Sequence, residues 1–77
     1  MAGISFNNCW EVLECIFIKD GFEFSRQKGD HRAYSKAGVI RPLIIPTYKS
    51  VGLDIITSLM RTANMSRERY FEILAQC

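Results

Sequence analysis

Apolar residues change their spacing along the chain, and the changes mark out the elements. Phe6, Trp10, Leu13 and Phe17 recur at intervals of four, three and four, which builds one apolar stripe on a helix, with Cys9 and Ile16 beside it. Asn8, followed three residues later by Glu11, reads as an N-cap with an approximate capping box. Lys19 falls in the last turn, and Gly21 suits the left-handed residue that ends a helix. The pattern predicts a helix over about residues 8–19.

After that helix the period shortens to two. Phe22 and Phe24 alternate with Glu23 and Ser25, the mark of a strand with one buried face. Gln27-Lys28-Gly29-Asp30 is a polar turn. A second strand from His31 to Lys36 sends His31, Ala33 and Ser35 one way and Arg32, Tyr34 and Lys36 the other. Ala37-Gly38 turns the chain into a third strand, Val39 to Ile45, rich in β-branched residues. Pro42 has no N–H for a ladder, so this strand belongs at a sheet edge or carries a bulge.

Pro46 to Gly52 reads as a connecting loop. Ile56, Leu59, Met60 and Ala63 restore the helical spacing, with Asp54 as a cap and Asn64 as a stop. Ser66 caps a final short helix with Tyr70, Phe71 and Leu74 as its apolar face. The order is α-β-β-β-α with a short C-terminal helix. The expected fold class is α+β in two layers, a three-stranded antiparallel sheet packed on helices, as one domain over residues 1–77. Phe6, Trp10, Leu13, Phe22, Phe24, Ile56, Leu59 and Met60 are the expected core. The same element order occurs in double-stranded-RNA-binding domains.

Composition adds boundaries to this picture. At 77 residues and 48 % hydrophobic, the chain is a small globular domain. No apolar run approaches the ~20 residues of a membrane span. The N-terminus lacks a basic segment followed by an apolar stretch, so no secretory signal is expected and the default location is cytoplasmic. Three cysteines, with no C-x-x-C pair, read as free thiols, not a disulfide framework. Cys9 and Cys15 point about 240° apart on a helix. A single His and dispersed thiols give no compact metal-ligand set, so neither metal nor other cofactor is expected.

The net charge of +2 is unevenly distributed. Arg26, Lys28, Arg32, Lys36, Arg41 and Lys49 face a single acid, Asp30, between residues 26 and 49, a local excess of +5; the rest of the chain carries −3. Such a segment attracts polyanions, or it is merely a solvated sheet face. Within it lies His31, the one side chain of a type that titrates near neutrality. Lys28 and Arg32 sit close by in sequence, and Arg26 ends the preceding strand. Gly29 permits the close approach of a phosphate backbone. An imidazole beside phosphate-binding cations suits metal-free RNA cleavage: a base takes the proton of the 2′-hydroxyl, and the cations stabilise charge on the phosphate oxygens. Asp30 reads as a turn residue, Tyr34 and Tyr48 as packing or stacking residues, and Trp10 as core. Paired carboxylates for two-metal hydrolysis are missing.

The segment Gly21-Phe22-Glu23-Phe24-Ser25-Arg26-Gln27-Lys28-Gly29-Asp30-His31-Arg32 resembles the HicA family of bacterial toxins. That family shows a helix followed by Gly-Phe, a strand ending in Arg, a glycine turn with His, and a second strand. Ile45-Pro46 and Met65-Ser66-Arg67-Glu68 extend the similarity over nearly the whole chain. The resemblance implies a fold like the double-stranded-RNA-binding domain and an endoribonuclease acting on messenger RNA, the toxin of a type II toxin–antitoxin pair. It further implies a catalytic His at His31, RNA contacts at Arg26, Lys28, Gly29 and Arg32, and a HicB-type antitoxin that covers the active face. Asp30 stands where the family commonly has Ser. A His often found after the Pro is absent, and Tyr48 lies nearby instead. Two rival readings remain: a noncatalytic RNA-binding module of the same fold, and a protein-interaction module using its edge strand.

Overall fold

Cys9 begins the portion of the chain that the computed structural model describes, residues 9–77. In order these form α1 (Trp10–Lys19), β1 (Glu23–Lys28), β2 (His31–Ser35), β3 (Leu43–Pro46), α2 (Leu53–Thr62) and α3 (Arg67–Leu74). The fold is α+β: three helices with an antiparallel sheet of order β1-β2-β3. Phe6 and Asn8, assigned above to the stripe and cap of the first helix, lie outside the described residues. The N-cap is Cys9, which makes no side-chain capping bond. The start of α1 is instead docked by its backbone, the Trp10 N–H donating to the Tyr48 carbonyl at 3.2 Å.

Helix ends follow the sequence more closely than helix starts. Past α1, Gly21 takes φ +113°, its N–H donating to the Ile18 carbonyl and that of Phe22 to Phe17. The Phe17 and Phe22 rings meet edge to face at 5.9 Å, which completes a Schellman closure with its apolar contact. Asn64 does the same for α2, at φ 55°, with Asn64 and Met65 donating to Arg61 and Met60. Ser66 caps α3 by accepting from the Arg69 N–H at 3.1 Å. At the start of α2 the cap is Gly52, not Asp54, which falls in the first turn.

All three helices pack on one side of the sheet. Leu13, Ile16 and Phe17 from α1, Tyr34 from β2, Leu43 and Ile45 from β3, Ile56 and Leu59 from α2, and Tyr70 and Ile73 from α3 form the core. Trp10 and Met60, expected inside, are only partly buried at its margin. Asp20 joins three elements at the end of α1, pairing with Lys36 at 3.3 Å and Arg69 at 3.2 Å.

Strand boundaries depart from the expectation in two places. β1 runs through Lys28, which shortens the turn to Gly29-Asp30. Gly29 is left-handed at φ 58° and Asp30 is not, the arrangement of a two-residue hairpin with glycine at the first central position. β3 starts at Leu43 and includes Pro46, so Pro42 precedes the ladder instead of interrupting it. The strand is at the sheet edge, where the absence of its N–H costs nothing.

The cysteines also require correction. Cys15 is joined to Cys77, 62 residues away in sequence, and among the described residues only Cys9 is a free thiol. Helical angles rightly kept Cys9 and Cys15 apart. They carried no information about a partner that the packing of α3 on α1 brings within a Cα separation of 6.2 Å.

Candidate functional site

The sheet has two unlike faces because side chains alternate along each strand. Tyr34, Leu43 and Ile45 point at the helices and are fully buried. His31, Ala33, Ser35 and Ile44 point the other way, where no helix among the described residues covers them. Register defines two rows across this open face. Lys28, His31 and Pro46 form one; Arg26, Ala33 and Ile44 form the next. Neighbouring strands lie roughly 4.8 Å apart, so Lys28 flanks His31 directly and Arg26 stands one row along.

Arg26 and Lys28 reach this face because the Gly29-Asp30 turn sets Lys28 opposite His31 and Arg26 opposite Ala33, and beyond them β1 is irregular. Phe24 pairs with Tyr34 and Arg26 with Ala33, leaving Ser25 as an extra residue in a bulge. Strict alternation from Phe22 would have placed Phe24, Arg26 and Lys28 together. The bulge separates them, turning Phe24 to the helical side while both cations stay on the side of His31. That mixture of aromatic and cationic residues under one alternation was the available sequence signal for a bulge.

Phe24 is nevertheless 47 % exposed, contrary to its assignment to the core. β1 is an outer strand, and the Phe24 ring covers a charged group instead of entering the interior. The Arg32 guanidinium lies 4.2 Å from its centroid and 5.2 Å from that of Trp10. Phe24 also meets Tyr34 edge to face at 5.8 Å.

Arg32 is not brought to His31. It points to the helical side, donating there to Glu14 at 2.9 Å, Gln27 at 2.8 Å and the Tyr34 hydroxyl at 3.0 Å. Gln27 in turn donates to the Gly29 carbonyl at 2.9 Å. The Tyr34 hydroxyl donates to Glu14. Arg32 therefore connects the hairpin tip to α1 and fixes the position of the turn. The Tyr34 hydroxyl is pushed up to about 12, first by burial and then by its hydrogen bond to Glu14. The Arg32 pKa is raised, chiefly by the hydrogen bond to Tyr34, with Glu14 adding to it against the effect of burial.

The basic segment is accordingly divided. Arg32 and Lys36 are paired with Glu14 and Asp20 of α1, whereas Arg26 and Lys28 enter no ion pair among the described residues. Those two, with His31, border a shallow depression of about 330 Å³ whose lining includes Ser25, Ser35, Pro42 and Ile44. Alternation along β2 already put Ser35 on the side of His31; sequence reasoning missed Ser25, Pro42 and Ile44, because they join the site only through the bulge and the placement of β3. Gly29 closes the turn beside it, and nothing lies within 4 Å of where a Cβ would stand, so the surface there is open. The Asp30 carbonyl is held by the Thr47 N–H at 2.7 Å and its hydroxyl at 3.1 Å, which anchors the tip to the end of β3.

Among the described residues no three His, Cys, Asp or Glu side chains come together as a set that could hold a metal ion, and no helix is long and apolar enough to cross a membrane. Comparison of the chain with protein-family models, with curated proteins and with solved structures finds no match. The site is thus described by its own chemistry: an exposed imidazole beside two cations that form no ion pair among the described residues, over an aliphatic floor.

Proposed function

We propose that this chain is an endoribonuclease of the HicA toxin type, with His31 transferring the proton in messenger-RNA cleavage. The observation that carries the reading is the row Lys28–His31, with Arg26 one row along, on a sheet face that no described helix covers. His31 takes the proton from a ribose 2′-hydroxyl; the 2′ oxygen forms a bond to the adjacent phosphorus as the bond to the 5′ oxygen breaks, and the leaving 5′ oxygen takes up a proton from water. The products are a 2′,3′-cyclic phosphate and a 5′-hydroxyl. Lys28, directly beside His31, neutralises the charge that develops on the non-bridging oxygens, and Arg26, one row along, holds the neighbouring phosphate. The reading assigns no step to a metal or cofactor.

The two-layer order of elements and the Gly-x-His turn support kinship with the double-stranded-RNA-binding-domain architecture of that family. Arg32 has no RNA contact in this reading, since it points away from the face of His31 and is held by Glu14, Gln27 and Tyr34. The expected partner is a HicB-type antitoxin with an acidic surface, which would neutralise Arg26 and Lys28 while closing the face to RNA.

The test is purified protein on single-stranded RNA in EDTA, comparing wild type with His31→Ala. Loss of an acid–base group should reduce the cleavage rate by ~10²–10⁴ while RNA binding persists, and the wild-type products should end in cyclic phosphate. Equal cleavage by both proteins would remove His31 from the mechanism. Binding without cleavage by either would leave a noncatalytic RNA-binding module.

A further inference from the structure

The open face is graded in charge from one edge to the other. Both of its cations, Arg26 and Lys28, stand on β1; His31 and Ala33 occupy β2; Ile44 and Pro42, on and just before β3, are uncharged, with Ile44 39 % exposed. We infer that single-stranded RNA lies along this face with its phosphates over β1, its ribose over His31 and one base on the aliphatic patch of Ile44 and Pro42. The inference rests on the ribonuclease reading and adds to it the orientation of the substrate and a base subsite.

Three geometric facts support this orientation. Adjacent strands are roughly 4.8 Å apart, so the three strands provide parallel tracks for phosphate, sugar and base, the lateral order of those parts in a nucleotide. His31, on the middle track, then faces the ribose that carries the 2′-hydroxyl. Along β1, Arg26 and Lys28 are two residues apart, roughly 6.7 Å at a strand's rise, a step suited to consecutive phosphates of an extended strand. The cationic track is also short. Glu23 pairs with Ser35 and so falls on the same face, placing a carboxylate where a third phosphate would lie.

This arrangement favours single strands for a physical reason. A duplex presents phosphates and sugars while its bases remain paired, leaving the Ile44–Pro42 patch unfilled. An aliphatic floor accepts the face of any base and reads no hydrogen-bonding edge. The subsite therefore adds affinity without selecting among the four bases.

The experiment uses a short single-stranded RNA, 2′-O-methylated throughout to block cleavage, carrying one 4-thiouridine. Irradiation followed by peptide mapping should place the adduct within residues 42–46. By fluorescence anisotropy, Ile44→Ser should weaken binding roughly three- to tenfold, and replacing that base with an abasic site should remove the difference between Ile44→Ser and wild type. Glu23→Gln should tighten binding and steepen its salt dependence. Adducts on β1 or the helices, or an Ile44→Ser effect that persists with abasic RNA, would overturn the orientation. Absence of RNA binding by wild type would overturn it together with the ribonuclease reading. Unmodified RNA separates the two: adducts at β3 without cleavage retire the ribonuclease alone, whereas cleavage with adducts elsewhere retires the orientation alone.

Discussion

Phe24 and Arg26 are two residues apart on one strand and lie on opposite faces of the sheet, because the register with β2 slips between them. Phe24 covers the Arg32 guanidinium on the helical side, and Arg26 borders the open depression with His31. Ser25, the extra residue between them, has no partner on β2.

Deleting Ser25 should regularise the ladder without moving either neighbour to the other face. The pairs Lys28–His31, Arg26–Ala33 and Phe24–Tyr34 are counted from the Gly29-Asp30 turn, and the deletion leaves that count unchanged. Cross-strand contacts in NMR spectra of the deletion variant should retain these pairs. A one-residue shift, with Phe24 opposite Ala33, would show that the bulge itself holds the register.

Arg32 and Lys28 should behave oppositely on substitution. Arg32→Ala removes three side-chain hydrogen bonds and leaves Glu14 and the Tyr34 hydroxyl under-satisfied. It should lower stability by about 1–3 kcal/mol in urea titration and leave the salt dependence of RNA binding unchanged. Lys28→Ala should preserve stability within about 0.5 kcal/mol and reduce the salt slope by about 0.7, the value of one phosphate contact on a single strand. A reduced salt slope in Arg32→Ala would return Arg32 to the RNA interface.

Alkaline pH should expose the environment of Tyr34. Its hydroxyl titrates at about 12 when folded and near 10 in the unfolded chain, so the unfolded state loses its proton first. The stabilisation is complete below pH 10 and is lost as pH rises through 12. Urea midpoints of wild type should fall more steeply over that interval than those of Tyr34→Phe. Parallel declines would mean that Tyr34 is not protected by burial and Glu14.

The Cys15–Cys77 link should stabilise the domain under oxidising conditions. It closes a loop spanning 62 residues, and constraints of that kind contribute about 2–4 kcal/mol. Thermal unfolding of wild type should shift to lower temperature with dithiothreitol, while Cys77→Ser should already be lowered and insensitive to the reductant. An unshifted wild-type transition would show that the packing of Tyr70 and Ile73 holds α3 on α1 unaided.

Much of this architecture is written locally. Leu13 and Phe17 on one helical stripe, Gly21 and Asn64 at left-handed helix ends, Ser66 at an N-cap and the alternation of His31, Ala33 and Ser35 each depend on residues a few positions apart, where backbone geometry and hydrogen bonding leave little choice. The α+β order and the direction of His31 follow from them.

What tertiary structure decided depends on distance along the chain. The partner of Cys15, the commitment of Arg32 to Glu14 and the arrival of Ile44 beside the row containing Arg26 all require elements far apart in sequence to be packed first. The bulge at Ser25 is the instructive intermediate case. Its residues are local, but an extra residue in a strand is defined only against the neighbouring strand, so pairing with β2 determined which face Arg26 and Lys28 would share. The sequence by itself determined that a histidine and a set of cations lie close along the chain; cross-strand register selected the two that stand beside it, because side-chain direction in a sheet is set by the partner strand as well as by the residue's own position.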